Sequence, residues 1–267
     1  MVTTGQLLLR AWDFEPSVLI GCALLLVGYF WLLHGQVGRK ATFFVAGVLL
    51  MLLTLIGPLD YLGDDYLFCA HMLEHILLML AVPPLLLLGL PDAPLRSLLK
   101  RPFFNRTERL LGRPVVAWFL STGTLWIWHF PLFYNAALAD ERLHIFQHLT
   151  MLVTGTIFWW PVFSPLKERR MTPVWAFMYI FLAAAVNMIL GILLTFSPLG
   201  YYPTYMRPAD ANAIFRLIRK GWEIDPQSDL NLGGMFMWII GGLLYFWAMI
   251  AAISRLFLNE QKSADGE

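Results

Sequence analysis

LFCAHMLEHILLMLAVPPLLLLGL, residues 67–90, carries two histidines and one carboxylate, Glu74, in an otherwise apolar run. A hydrocarbon core of ~30 Å is crossed by about 20 such residues in helical form, so this stretch is long enough to span a membrane. Coiled as a helix, it puts His71 and His75 at i and i+4, on one face and about 6 Å apart along the axis. Pro83-Pro84 should kink it. The backbone groups freed there must find partners on neighbouring helices, because lipid supplies none.

Outward from this segment the same pattern recurs. Seven spans are predicted, at about 17–34, 41–58, 67–90, 115–130, 143–163, 174–196 and 233–256. The fourth is cut short by Pro131, with Trp126 and Trp128 placed for an interfacial belt. Of 267 residues 58% are hydrophobic and only 14% charged, against about 25% charged in a soluble domain. The expected fold is therefore an all-α, polytopic membrane helix bundle. Residues 1–258 form one integral-membrane domain, and 259–267 form a disordered polar tail. Residues 1–15 lack the basic start of a cleavable signal, so the first span is expected to be retained.

The basic residues orient the bundle. Arg39 and Lys40, the group from Arg96 to Arg113, Lys167, Arg169, Arg170, Arg255 and Lys262 hold most of the 19 basic side chains and fall on one side. By the positive-inside rule that side is cytoplasmic, which puts the N-terminus outside and the C-terminus inside. The longest outer loop, 197–232, is expected to carry a short helix over 209–221 with Ile214, Phe215, Leu217 and Ile218 on one side. A net charge of +1 gives no field for nucleic acid. Two cysteines, Cys22 and Cys69, allow at most one bridge. Walker, GxSxG, CxxC and HExxH motifs do not occur, so ATP-driven transport, serine hydrolysis and zincin chemistry have no support, and the chain is expected not to be an enzyme.

With this topology five of the six histidines share the outer leaflet: His71 and His75 on the third span, His129 at the end of the fourth, His144 and His148 on the fifth. Only His34 lies at the cytoplasmic end. Two i, i+4 pairs turned toward each other present four imidazoles across one gap, and His129 adds a fifth. Ionisable groups at membrane depth are costly and mark function. Imidazole suits copper, zinc, iron and nickel, and soft sulfur neighbours favour Cu(I). Cys69 and Met72 flank the first pair, Met151 follows the second, and Met188, Met235 and Met237 belong to the same layer. Glu74 is placed to orient an imidazole or bridge a metal, or else to pair with an arginine. Asp60, Asp64 and Asp65 make the preceding outer loop acidic, a solvated loop that could also draw cations. Asn187 is placed to hydrogen-bond between helices.

The motifs HMLEHILLMLAVPPLLLLGLP at 71–91, WHFPLFYNAAL at 128–138 and HIFQHLTMLVTGTIFWWPV at 144–162 resemble the multi-spanning CtaG family of cytochrome c oxidase assembly factors. TFSPLGYYPTY at 195–205 and DLNLGGMFMWIIGG at 229–242 are similar to its outer loop and last helices. The resemblance implies a bacterial inner-membrane protein that helps assemble a terminal oxidase, with oxidase subunits and a copper donor protein as partners. It implies His71, His75, His129, His144 and His148 as the positions of copper handling. That family accommodates Gln as readily as Glu at the position of Glu74, so no acidic role is implied there. Two other functions fit the histidine pattern: a b-type haem held between facing helices in a redox protein, and a copper transporter.

Overall fold

The computed structural model describes residues 3–33, 38–206 and 214–264, with side chains to residue 257. Its regular structure there is helical. The helices are α1 (Thr4–Arg10), α2 (Pro16–Leu32), α3 (Arg39–Ile56), α4 (Pro58–Asp65), α5 (Phe68–Ile76), α6 (Val82–Gly89), α7 (Asp92–Leu99), α8 (Pro102–Leu111), α9 (Pro114–His129), α10 (Pro131–Ala139), α11 (Glu141–Phe163), α12 (Pro173–Thr195), α13 (Ile214–Arg216) and α14 (Pro226–Ala264). His34 and residues 209–213 of the expected outer-loop helix lie outside the described residues.

Over the described residues, each of the seven predicted spans falls on helical structure. Four of them, Arg39–Ile56, Phe68–Gly89, Pro173–Thr195 and Pro226–Phe257, are long and apolar enough to cross a membrane. Pro102–Leu111 and Pro114–His129 qualify together as a fifth, bent by 69° at their break. The remaining two fall short for different reasons. Helix α2 has 17 residues. Helix α11 has 23, but the histidines, Gln147 and a run of threonines dilute its apolarity.

Segment 67–90 is one span interrupted by a π-helical turn, Leu77–Ala81, just before the two prolines. Pro83 has no N–H to give to the Met79 carbonyl, its i−4 partner. The indole Nε1 of Trp159, on α11, donates to that carbonyl instead at 2.9 Å. Gly155 makes the approach possible, since a Cβ there would stand 2.9 Å from the same carbonyl oxygen. The expected rescue by a neighbouring helix is found, and the Trp159 ring that supplies it is fully buried. Trp128 is buried too, donating to Thr150 Oγ1 at 2.9 Å rather than facing the interface.

The end of the bundle at the start of α5 is tied across elements. Asp229, at the start of α14 and completely buried, accepts from the backbone N–H groups of Phe68 and Cys69 at 2.9 and 3.0 Å. It thereby caps α5, whose own preceding residue offers no side-chain cap. Ile214 and Ile218 pack with Leu7 of α1 and Ala11 just after it over the start of α5, so this part of the 197–232 loop caps the bundle. Asn187 donates to the Tyr245 hydroxyl at 2.6 Å, joining α12 to α14.

Candidate metal centre

Helix α5 brings His71 and His75 inward together, and α11 meets them with His144 and His148. The ring centroids of His71 lie 4.3 Å from His75, 5.3 Å from His144 and 5.6 Å from His148. His148 stands 5.5 Å from His75 and 4.2 Å from His144. His129, closing α9, reaches His75 at 5.3 Å. Thus the five histidines singled out in the sequence form one continuous cluster. Four are buried, with His71 at 0% exposure, and the His144 side chain is 13% exposed.

One ring nitrogen from each of His71, His75 and His148 lies within 4.8 Å of the other two. Such a triangle puts every nitrogen within about 2.8 Å of the centre, so a bond of ~2.0–2.1 Å needs side-chain shifts of under about 1 Å. The nitrogens are also unclaimed. The Nε2 atoms of His71, His75, His144 and His148 are buried without hydrogen-bond partners. Buried polar groups are normally satisfied, and exceptions call for a ligand, water or ion. The residues present therefore fit a metal.

The surroundings hold the rings in place. His129 Nδ1 is 2.6 Å from the Leu125 carbonyl oxygen, so that nitrogen carries the proton. Its Nε2 lone pair then faces His75 Nδ1 at 3.5 Å. Tyr202 fixes the end of α9 by donating to the His129 carbonyl at 2.6 Å. The phenol of Tyr134 stacks edge-on against His71 and hydrogen-bonds the Tyr205 hydroxyl at 2.8 Å.

Carboxylates complete the cluster, and here sequence reasoning fell short. Asp64 reaches into it from α4, with Oδ1 3.4 Å from His71 Nδ1 and Oδ2 3.4 Å from His144 Nδ1. Neither contact needs a helix-length argument; both need α4 folded back on α5. Gly63 permits that, because a Cβ there would meet the His71 backbone at 3.0 Å. Glu74 is wholly buried, with Oε1 3.6 Å from His148 Nδ1, and shares a side-chain hydrogen bond with the Asp60 carboxyl. Asp60, Glu74 and His148 form a further group of convergent donors. Burial first, and then the Asp64 charge, push the Asp60 carboxyl up to about 8. Burial pushes Asp64 up to about 6, against the opposing pull of His144. Gln147, next to His148, is buried with both amide atoms unpaired, and nothing in its local sequence distinguished it.

Most of the sulfurs pack elsewhere. Cys69 packs with Leu7, Ala11 and Ile218 on the far side of α5. Met72 rests on Gly233 of α14, and Met151 sits in the apolar core. Met188 is 44% exposed and faces away. Met237 lines a cavity of ≈ 20 Å³ beneath His75, together with Asn187 and Tyr245. Cys22 and Cys69 are both free and belong to different packing clusters. The donor set at the cluster is imidazole and carboxylate.

Among curated proteins, the chain is 22% identical over 86% of its length to an uncharacterized protein of Mycobacterium leprae, covering 37% of that protein. It is 20% identical over 97% of its length to uncharacterized proteins of Mycobacterium bovis and Mycobacterium tuberculosis, covering 41% of each. The chain thus spans well under half the length of these relatives. No solved structure matches it. Residues 22–258 match the family model of the cytochrome c oxidase caa3 assembly factor, Caa3_CtaG, and the buried histidine cluster lies wholly inside that match; the chain belongs to this family of oxidase assembly factors.

Proposed function

We propose that this protein is a non-enzymatic assembly factor of the bacterial inner membrane that binds copper, with Cu(I) favoured, and aids its delivery to a cytochrome c oxidase subunit. His71, His75 and His148 are the primary ligands, and His144 and His129 flank them as transfer ligands. The bundle crosses the membrane seven times, N-terminus outside and C-terminus cytoplasmic, so the cluster lies toward the outer face. A copper donor protein supplies the metal from that side. The observation that carries this reading is the set of buried, unpartnered imidazole nitrogens that converge on one point.

Imidazole alone suits copper and zinc, and the choice of copper rests on the family's role in oxidase assembly. The haem reading finds less support. A haem between α5 and α11 needs a slot, whereas the rings of His71, His75, His144 and His148 pack on one another at 4.2–5.6 Å. For a transporter, donors are needed at several depths, and the cavity beneath His75 is only ≈ 20 Å³.

The test is metal content and visible spectrum of the detergent-purified protein after anaerobic Cu(I) loading, with Zn(II) loading in parallel, beside His71→Ala/His148→Ala. Near-stoichiometric copper that is lost in the double variant supports the proposal. A Soret band lost in the variant supports haem, and zinc bound in preference to copper replaces the cargo. No metal in the parent protein refutes the site.

A further inference from the structure

A cavity of ≈ 480 Å³ between the N-terminal halves of α2 and α11 reaches the histidine cluster. Five carboxylates line it: Asp13 and Glu15 before and at the start of α2, Asp60 and Asp64 on α4, and Glu141 at the start of α11. No lysine or arginine is among its described lining residues. Its inner wall includes His144 and His148. The His148 side chain is 10% exposed, and its Nε2 has no hydrogen-bond partner.

We infer that this cavity is the route by which a metal cation reaches the cluster, with Asp64, His71 and His144 as the first station. The inference rests on the metal-binding reading above and adds to it a direction. At the mouth the donors are carboxylate oxygens that hold a hydrated cation loosely. One step in, Asp64, His71 and His144 offer one oxygen and two nitrogens within 4.8 Å of one another. A step further, His71, His75 and His148 offer nitrogen alone. His71 belongs to both groups, so a cation can pass from one to the other by exchanging Asp64 and His144 for His75 and His148 while it stays bound to that ring. Donors change from hard to softer along the path, which favours inward movement of a borderline or soft ion. An apolar-walled cleft lined by one sign of charge also raises the local concentration of the opposite ion and its association rate by about 10–10³-fold, an effect that salt removes.

Asp13 and Glu15 are the informative positions, because they face the cavity yet belong to none of the convergent donor groups. The experiment loads the full chain in detergent with Cu(I) supplied anaerobically as its acetonitrile complex. Bound copper is measured by rapid chelator quench for the parent protein and Asp13→Asn/Glu15→Gln. Loading of the variant should be about tenfold slower at low ionic strength and should converge on the parent at 0.5 M salt (about a 4 Å screening length), with the final copper content unchanged. Equal rates at low salt overturn this route while leaving the copper site standing. A variant that loads to a lower final content also overturns it, since these carboxylates would then be part of the site. A parent protein that takes up no copper overturns both readings. Val18→Trp, which narrows the same opening without touching a charge, should slow loading at every salt concentration; an unaffected rate counts against the route.

Discussion

Glu74→Gln isolates the one buried carboxylate whose role the sequence left open. The substitution keeps size and shape and removes the ability to carry a charge 3.6 Å from His148 Nδ1. A metal on the opposite ring nitrogen would lie roughly 7 Å from that carboxylate, allowing ~2.2 Å across the ring and ~2.0 Å for the bond along a bent path. At an effective dielectric of ~20, a unit positive charge at that distance is stabilised by about 2.4 kcal/mol, or about 50-fold in affinity. This falls inside the 10–100-fold typical of groups that orient a metal-bound histidine. In the metal-free protein the same carboxyl is 0% exposed against the Asp60 side chain, and Gln keeps an acceptor for that contact, so the substitution should leave thermal stability near that of the parent. Competition titration of Cu(I) against a chromophoric chelator, with melting curves of the apo protein in the same detergent, reads both quantities. An apo protein as stable as the parent with Cu(I) affinity within threefold of it would refute the electrostatic role. His148→Ala, which removes a ligand outright, should lose clearly more than Glu74→Gln; the reverse order would make Glu74 itself the ligand.

Three further outcomes follow from the packing. Gly155→Ala places a methyl 2.9 Å from the Met79 carbonyl oxygen, on backbone that cannot step aside; it should destabilise by about 1–3 kcal/mol, and an unchanged melting temperature would show that the α11–π-turn contact is looser than described. Asp229→Ala strips the cap from Phe68 and Cys69 N–H, which should cost about 1–2 kcal/mol and also weaken metal binding by loosening the helix that carries His71; hydrogen exchange at the start of α5 should rise first. The Asp60 carboxyl is held near 8 in the folded protein against an ordinary value of 3.8, so between those values the folded state binds a proton that the unfolded state does not. The contribution of this carboxyl to the stability of the apo protein should therefore fall as pH rises from about 4 to about 8 and level off above it; between pH 6.5 and 8.5, above the ordinary titration of unfolded histidines, the parent curve should decline and Asp60→Asn should flatten the decline, and a parent curve that rises there would contradict the assignment.

Segment 67–90 shows how far the chain could be read without coordinates. Its length and apolarity announced a span, and Pro83-Pro84 announced a break whose carbonyls needed outside donors. The donor, Trp159, was 80 residues away along the chain and had the composition of a membrane-belt residue. The histidines were similarly half legible. Spacing put each pair on one face, and polarity put both pairs in one layer. The two-residue offset of Cys69 from His71 already turned that thiol off the histidine face, but nothing local showed that the two histidine faces met.

By itself the sequence determined the elements of this protein and the residues that had to be costly to bury. Helical periodicity of 3.6 residues per turn fixes which side chains share a face, and that rule acts within a segment. The tertiary structure decided which faces meet. The fold of α4 back onto α5 at Gly63 turned an acidic loop into two walls of the site, bringing Asp60 and Asp64 among the histidines and leaving the sulfurs outside. That choice depends on close approach between segments distant in sequence, where a single Cβ permits or forbids contact, and no periodicity along one helix records it.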